Sequence, residues 1–220
     1  MNVIKTELTP EILRQEAALF SKAESSHSEP SLYGVTDGKA VGTYLEHKFI
    51  HYLERQHEFT RGNSAKGIDF PELGIDIKVT SIRQPQSSCP FKSARQKIFG
   101  LGYALLVFVY EKGDDTTNRT GRLNILHTIF IDAERTADFQ TTTGICRILN
   151  NNGNGDDLLA FFEERMLPVD SIEAHDLMED ILRNPPEIGY LTISNALQWR
   201  LQYSRVIEKA GFVDGIHRVS

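Results

Sequence analysis

The chain has 220 residues, 40% apolar and 25% charged, with 12 Phe, 7 Tyr and 1 Trp. That composition excludes disordered, collagen-like and coiled-coil chains and supplies enough apolar mass for a sizeable core. The formal net charge of −6 speaks, taken alone, mildly against a nucleic-acid partner. The longest apolar run, residues 103–110, falls far short of the ~20 residues that span a bilayer. The opening residues lack the apolar stretch of a signal peptide. Cys89 and Cys146 are too few for a disulfide framework or a cysteine-rich zinc site. A cytoplasmic, reduced protein with no membrane contact is the expectation.

The elements follow in chain order. Residues 10–23 predict a helix, with Thr9 as cap, Pro10 in the first turn, and Ile12, Leu13, Ala17 and Phe20 at helical spacing. Residues 25–38 are polar and turn-rich. Residues 39–56 predict the clearest helix, on which Val41, Leu45, Phe49, Ile50 and Leu53 make one stripe. Residues 67–70 and 73–80 predict a tight hairpin turning at Pro71 and Glu72. On its second strand Ile75, Ile77 and Val79 point one way and Asp76 and Lys78 the other. A polar loop over 81–90, a short basic helix or turn over 91–99, and strands over 103–110 and 123–131 come next. Helices are expected over 157–166, 171–183 and 194–210, the last capped by Ser194. No repeat or linker is visible. The expected organisation is one domain over 1–220, with a catalytic core at about 40–132 and a C-terminal helical part at about 157–220, in an α/β or α+β arrangement of a sheet flanked by helices.

Charge is local. Between Arg61 and Lys112 there are eight bases (Arg61, Lys66, Lys78, Arg83, Lys92, Arg95, Lys97, Lys112) against four acids (Asp69, Glu72, Asp76, Glu111), so this stretch is +4 and the rest of the chain −10. A polyanion needs only such a local positive field.

The segment Gly67 to Ser81 carries the chemistry. A hairpin brings Asp69 alongside Asp76, and Lys78 shares the Asp76 face. Two carboxylates converging beside an ammonium repel each other unless a divalent cation intervenes, and hard Mg²⁺ takes oxygen ligands with several waters. Asp69, Asp76 and the carbonyl of Ile77 are therefore candidate Mg²⁺ ligands, in one or two ions per site. Lys78 is placed to position an attacking water, and Glu46, on the long helix, is the fourth candidate catalytic residue. Phosphodiester hydrolysis is the chemistry this suits. An acid-x-Lys triplet by itself carries little, since Glu46-His47-Lys48 is another; strand context and the preceding Asp give it weight. His47 and His51 read as ordinary helix-face residues.

Asp69, Asp76-Ile77-Lys78 and Glu46 resemble the active site of the PD-(D/E)XK nucleases. The six residues between Asp69 and Asp76, the phrase Leu73-Gly74-Ile75-Asp76-Ile77-Lys78, and Gly42 ahead of Glu46 are most similar to the MutH branch. Two positions depart from it: Ile68 stands where Pro is usual, and Asp76 where that branch has Glu. The resemblance implies a restriction-endonuclease-like fold, a central mixed β-sheet flanked by α-helices. It also implies Mg²⁺-dependent cleavage of double-stranded DNA leaving 5′-phosphate and 3′-hydroxyl ends. With no ATPase motif, the chain is expected to work without ATP as a type II restriction endonuclease, usually a homodimer. A MutH-like strand-nicking repair enzyme and a non-catalytic DNA-binding module are the alternatives. Candidate DNA contacts flank the site: Arg61, Asn63, Ser64 and Lys66 before it, Arg83, Gln84, Gln86 and Ser87 in the following loop, then Lys92, Arg95 and Lys97.

Overall fold

Two N-caps set the first helical layer. In the computed structural model, which describes residues 5–62, 67–88, 93–194 and 199–220, the short strand β1 (Thr6–Glu7) leads to Thr9, whose hydroxyl accepts the Ile12 N–H and opens α1 (Pro10–Ser25). The Asp37 carboxylate accepts the N–H groups of Lys39 and Ala40 and opens α2 (Gly38–Glu54). β2 (His57–Glu58) pairs in parallel with β1 just beyond α2. Next come β3 (Ile75–Ser81) and the three-residue β4 (Gln86–Ser88).

β3 joins β5 (Ala104–Asp115), β6 (Thr120–Ile131) and β9 (Ile216–Arg218) in a four-stranded sheet of order β3-β5-β6-β9. The β3/β5 pair is parallel and the other two are antiparallel. The expected α/β architecture, a central mixed sheet flanked by helices, is the one that forms. Leu13, Ala17 and Phe20 of α1 and Leu45, Phe49 and Leu53 of α2 pack on Ile75, Ile77, Leu106 and Phe108 of the sheet. The Phe49 ring lies 5.0 Å from Phe20 and 5.1 Å from Phe108, centroid to centroid. On the other face of β5, Leu105, Val107 and Val109 are also buried, which is why this strand reads as an unbroken apolar run.

Contacts divide the chain into two compact units, one of Met1–Ser87, Ala104–Ile131 and Lys209–Ser220, the other of Ser88–Tyr103 and Asp132–Glu208. The second holds α3 (Arg95–Phe99), α4 (Phe139–Asn150), α5 (Gly155–Glu164), α6 (Ser171–Arg183), the antiparallel pair β7 (Thr192–Ile193) and β8 (Arg200–Gln202), and most of α7 (Ser204–Lys209). Among the described residues no helix is long and apolar enough to cross a membrane.

Several elements differ from the expectation. The hairpin before β3 is a single bridge, Phe70 to Ile75, around a four-residue turn rather than two strands. β5 runs on through Gly113 to Asp115, because β6 starts early enough to pair with it as an exposed ribbon. α4 is absent from the sequence reading. Its three consecutive threonines and Gly144 argue against a helix, yet a Cβ at Gly144 would sit 2.2 Å from the Phe161 ring, so packing against α5 demands the glycine. The helix expected over 194–210 exists only as α7. Residues 195–198 lie outside the described residues, and Arg200–Gln202 form strand β8, with Leu201 buried and Gln202 exposed.

Phe49→Ala empties the aromatic centre of the first unit and is expected to cost about 3–5 kcal/mol. A urea titration followed by far-UV circular dichroism measures it; a loss below about 1 kcal/mol would show that Phe49 is not central.

Candidate active site

The site is built on an edge strand. Among the described residues β3 has β5 on one side only, so the N–H and C=O groups on its other side need partners from elsewhere. Phe70 and Ile75 exchange both of their backbone hydrogen bonds there, at 2.9 and 3.2 Å, across a turn in which Gly74 takes φ 63°. Two residues further along the same edge, the Ile77 N–H donates to Asp69 Oδ2 at 2.8 Å. The Asp69 carboxylate thus stands where a neighbouring strand would be. The N–H and C=O of one strand residue project to the same side, so the Ile77 carbonyl also faces this open edge. The chain ahead of Asp69 is held equally close. The Gly62 N–H donates to the Asp69 carbonyl at 2.8 Å, and a Cβ at Gly62 would lie 1.8 Å from the Ile68 carbonyl oxygen.

Four charged side chains converge on this edge. Asp76, only 4% exposed, forms an ion pair with the Lys78 ammonium and a hydrogen bond with the Asp69 carboxyl. Burial pushes the Asp76 carboxyl up to about 6, helped by Asp69 and opposed by Lys78. Glu46 reaches the same place from α2. Burial first, then the charges of Asp69 and Asp76, push its carboxyl up to about 7 against the pull of Lys78. Glu46, Asp69, Asp76, Ile77 and Lys78 line one cleft of about 280 Å³, together with His47, Ile50 and Arg61.

Among the described residues no three His, Cys, Asp or Glu side chains form a ready cage for an ion. The donors on this edge are two carboxylates and one main-chain carbonyl. Such a set suits an octahedral Mg²⁺ that keeps most of its waters better than a cation needing an all-protein cage. The crowded carboxyls fit a divalent cation, whose charge would relieve their mutual repulsion.

The candidate DNA contacts divide. Arg61 lines the cleft, with a guanidinium nitrogen 3.9 Å from Glu54. Arg83 and Gln84 are exposed, and Gln86 and Ser87 half-buried, on the turn that leaves β3. Arg95 is paired with Asp180 over the Phe99 ring. Lys97 is 5% exposed, its ammonium lies 5.4 Å from the Trp199 ring, and burial lowers its affinity for a proton. Asn63, Ser64, Lys66 and Lys92 lie outside the described residues. His47, exposed on α2 as expected, also lines the cleft.

A mixed sheet whose edge strand offers a carboxylate pair and a lysine to a polar cleft is the frame of a hydrolytic α/β enzyme, and comparison with known proteins gives the class: the family model described as type II restriction enzyme NspV matches residues 7–218. A curated relative, Type II restriction enzyme NspV from Nostoc sp. (strain ATCC 29411 / PCC 7524), is 71% identical over 211 residues, 96% of each chain. The chain belongs to this NspV family of type II restriction enzymes. No solved structure matches it.

Asp76 and Glu46 bind a proton more tightly in the folded chain than in the unfolded one. The stability this lends is complete below the ordinary carboxylate range and is lost as pH rises through about 6 and then about 7. In a chelator, Glu46→Gln should therefore melt higher than the wild type at about pH 8, and the gap should close towards about pH 4. Equal melting temperatures across that range would contradict the shift at Glu46.

Proposed function

We propose that this chain, a type II restriction endonuclease and so a site-specific deoxyribonuclease, hydrolyses double-stranded DNA at the carboxylate and lysine cleft on the edge of β3. The observation that carries the reading is the meeting of the Asp69 and Asp76 carboxyls beside the Lys78 ammonium. Asp69, Asp76 and the Ile77 carbonyl would hold Mg²⁺. When bound, the ion lowers the pKa of a coordinated water and neutralises charge on the phosphate oxygens.

The chain's own residues supply the rest. Lys78 orients the attacking water and meets the negative charge that grows on phosphorus oxygens in the transition state. Its pairing with Asp76 fixes that ammonium before DNA arrives. Glu46 accepts a hydrogen bond from water on the side facing α2. The Ile77 N–H holds the Asp69 carboxylate against the strand edge, which keeps its second oxygen turned to the cleft. Water adds to phosphorus, the 3′ oxygen leaves and takes a proton, and the products carry 5′-phosphate and 3′-hydroxyl ends. Arg61, Arg83, Gln84, Gln86 and Ser87 are proposed DNA contacts, with Arg83 suited to a guanine edge and the glutamines to adenine.

The resemblance to PD-(D/E)XK nucleases of the MutH branch supports this assignment of roles. A homodimer places two such clefts on a duplex, and no step needs ATP. The cytoplasm, where the duplex lies, is the proposed location.

Digestion of a long sequenced DNA with Mg²⁺, followed by end mapping, tests the reading. Discrete sites with 5′-phosphate ends are expected, with linear plasmid as product and none of it in a chelator. Asp69→Ala and Lys78→Ala should each lower cleavage by at least about 10²–10³-fold while the circular dichroism spectrum is retained. Wild-type cleavage by either variant would remove that residue from the mechanism, and open circles without linear product would point to nicking instead.

A further inference from the structure

One buried hydroxyl ties the turn that leaves β3 back to the strand. Thr80 is 3% exposed and lies on the strand face of Asp76 and Lys78, two residues beyond the lysine. Its Oγ1 accepts the Gln86 N–H at 2.8 Å, and its single proton lies between the carbonyls of Gln86 at 3.1 Å and Gln84 at 3.3 Å. Backbone and local bonds also hold the turn, among them a second bond from the Gln86 N–H, to the Gln84 carbonyl at 2.8 Å. The Ile82 N–H donates to the Tyr110 carbonyl at 2.9 Å, the Gln84 N–H to the Ser81 carbonyl at 3.3 Å, and the Arg83 N–H to Ser81 Oγ at 3.3 Å. Arg83 and Gln84 are left exposed at the tip. Both flanks of the tip are thus tied to the strand that carries the acid and the lysine.

We propose that Thr80 is a specificity-positioning residue: its hydroxyl sets where Arg83, Gln84 and Gln86 stand relative to Asp76 and Lys78, and so sets how strictly cleavage depends on sequence. The inference rests on the function proposed above and adds the residue that couples base reading to chemistry. A bidentate contact from arginine or glutamine to a base edge tolerates little displacement, because both hydrogen bonds must be made at once. A turn released from Thr80 can still approach DNA through its charge, which discriminates poorly between sequences. Selectivity therefore depends on the hydroxyl more than non-specific binding does.

The test uses Thr80→Val, which keeps the shape and deletes the hydroxyl, Thr80→Ser, which restores it, and Lys78→Ala in parallel. Each full-length protein is incubated with a long sequenced DNA and Mg²⁺, and kcat/KM is compared at mapped sites and at sites differing by one base pair. Thr80→Val is expected to narrow that ratio by about tenfold or more, with KM at the mapped sites raised, and Thr80→Ser to recover most of it. An unchanged ratio in Thr80→Val overturns the proposal, as does an equal loss in Thr80→Ser. If Thr80→Val does not fold while Thr80→Ser folds and cuts normally, the hydroxyl is structural and the proposal fails. Wild-type cleavage by Lys78→Ala would instead sink the site assignment itself, so the two failures are separable.

Discussion

Two carboxyl groups that meet beside the Lys78 ammonium form the constraint around which the first unit is organised. Asp76 would ordinarily ionise near 3.8, and here it is pushed up to about 6 although Lys78 is paired with it. Burial outweighs the ion pair. One pKa unit is about 1.4 kcal/mol, so keeping Asp76 charged at neutral pH costs the metal-free fold roughly 3 kcal/mol. Glu46 adds a third carboxyl that is also held above its usual range. A chain selected for stability alone would place amides here. The cost is offset by the aromatic and aliphatic core that α1 and α2 make with the sheet.

The location on an edge strand follows from the same chemistry. A central strand has both rows of backbone groups committed to neighbours, so no carbonyl is left to face a ligand. β3 keeps one row open. The Phe70 bridge closes its first residue and the Asp69 carboxylate closes the amide of Ile77, so the exposed edge is blunted without another strand being added. One substitution of side chain for backbone therefore both protects the sheet edge and delivers a carboxylate to the cleft. Gly62 makes this possible on the outer side, since any larger residue would collide with the Ile68 carbonyl and push Asp69 away from β3.

What could be read from the sequence was local. Thr9, the apolar stripe of residues 39–56 and the pattern of residues 171–183 announce helices because caps and spacing lie within a few residues of each other. The alternation of Ile75, Ile77 and Val79 with Asp76 and Lys78 announces both a strand and a polar face, and the four charged residues suggested by it do line one cleft. What escaped was non-local. Lys97 looks like a surface cation until Trp199, about a hundred residues later, covers it. The threonine run of α4 opposes a helix by propensity, and only the Asp138 cap and the fit of Gly144 against Phe161 override it. Leu197, Leu201 and the residues after them can be counted at helical spacing, and pairing of β8 with β7 places Leu201 in a strand instead. The Ile77 amide on Asp69 could not be seen at all, since an edge strand is not marked as one in its own sequence.

The register of β3 is where stability and chemistry become the same requirement. The side chains of a strand alternate, so a slip of one residue would carry Asp76 and Lys78 into the cluster of Phe20, Phe49 and Phe108 and expose Ile75 and Ile77 in their place. Burying an ammonium and a carboxylate among aromatic rings costs far more than a sheet ladder returns. The seven-residue parallel pairing with β5, from Ile75 against Ala104 to Ser81 against Tyr110, is therefore specified by the apolar face. The polar face inherits that register without needing any of its own. Asp76, Lys78 and Thr80 fall on one line because hydrophobic burial has already fixed the other line, and the separation between acid, amine and turn is then set by the rise of the strand rather than by flexible side chains. A site assembled this way can carry mutually repelling groups, since the force that holds them in place acts on their neighbours.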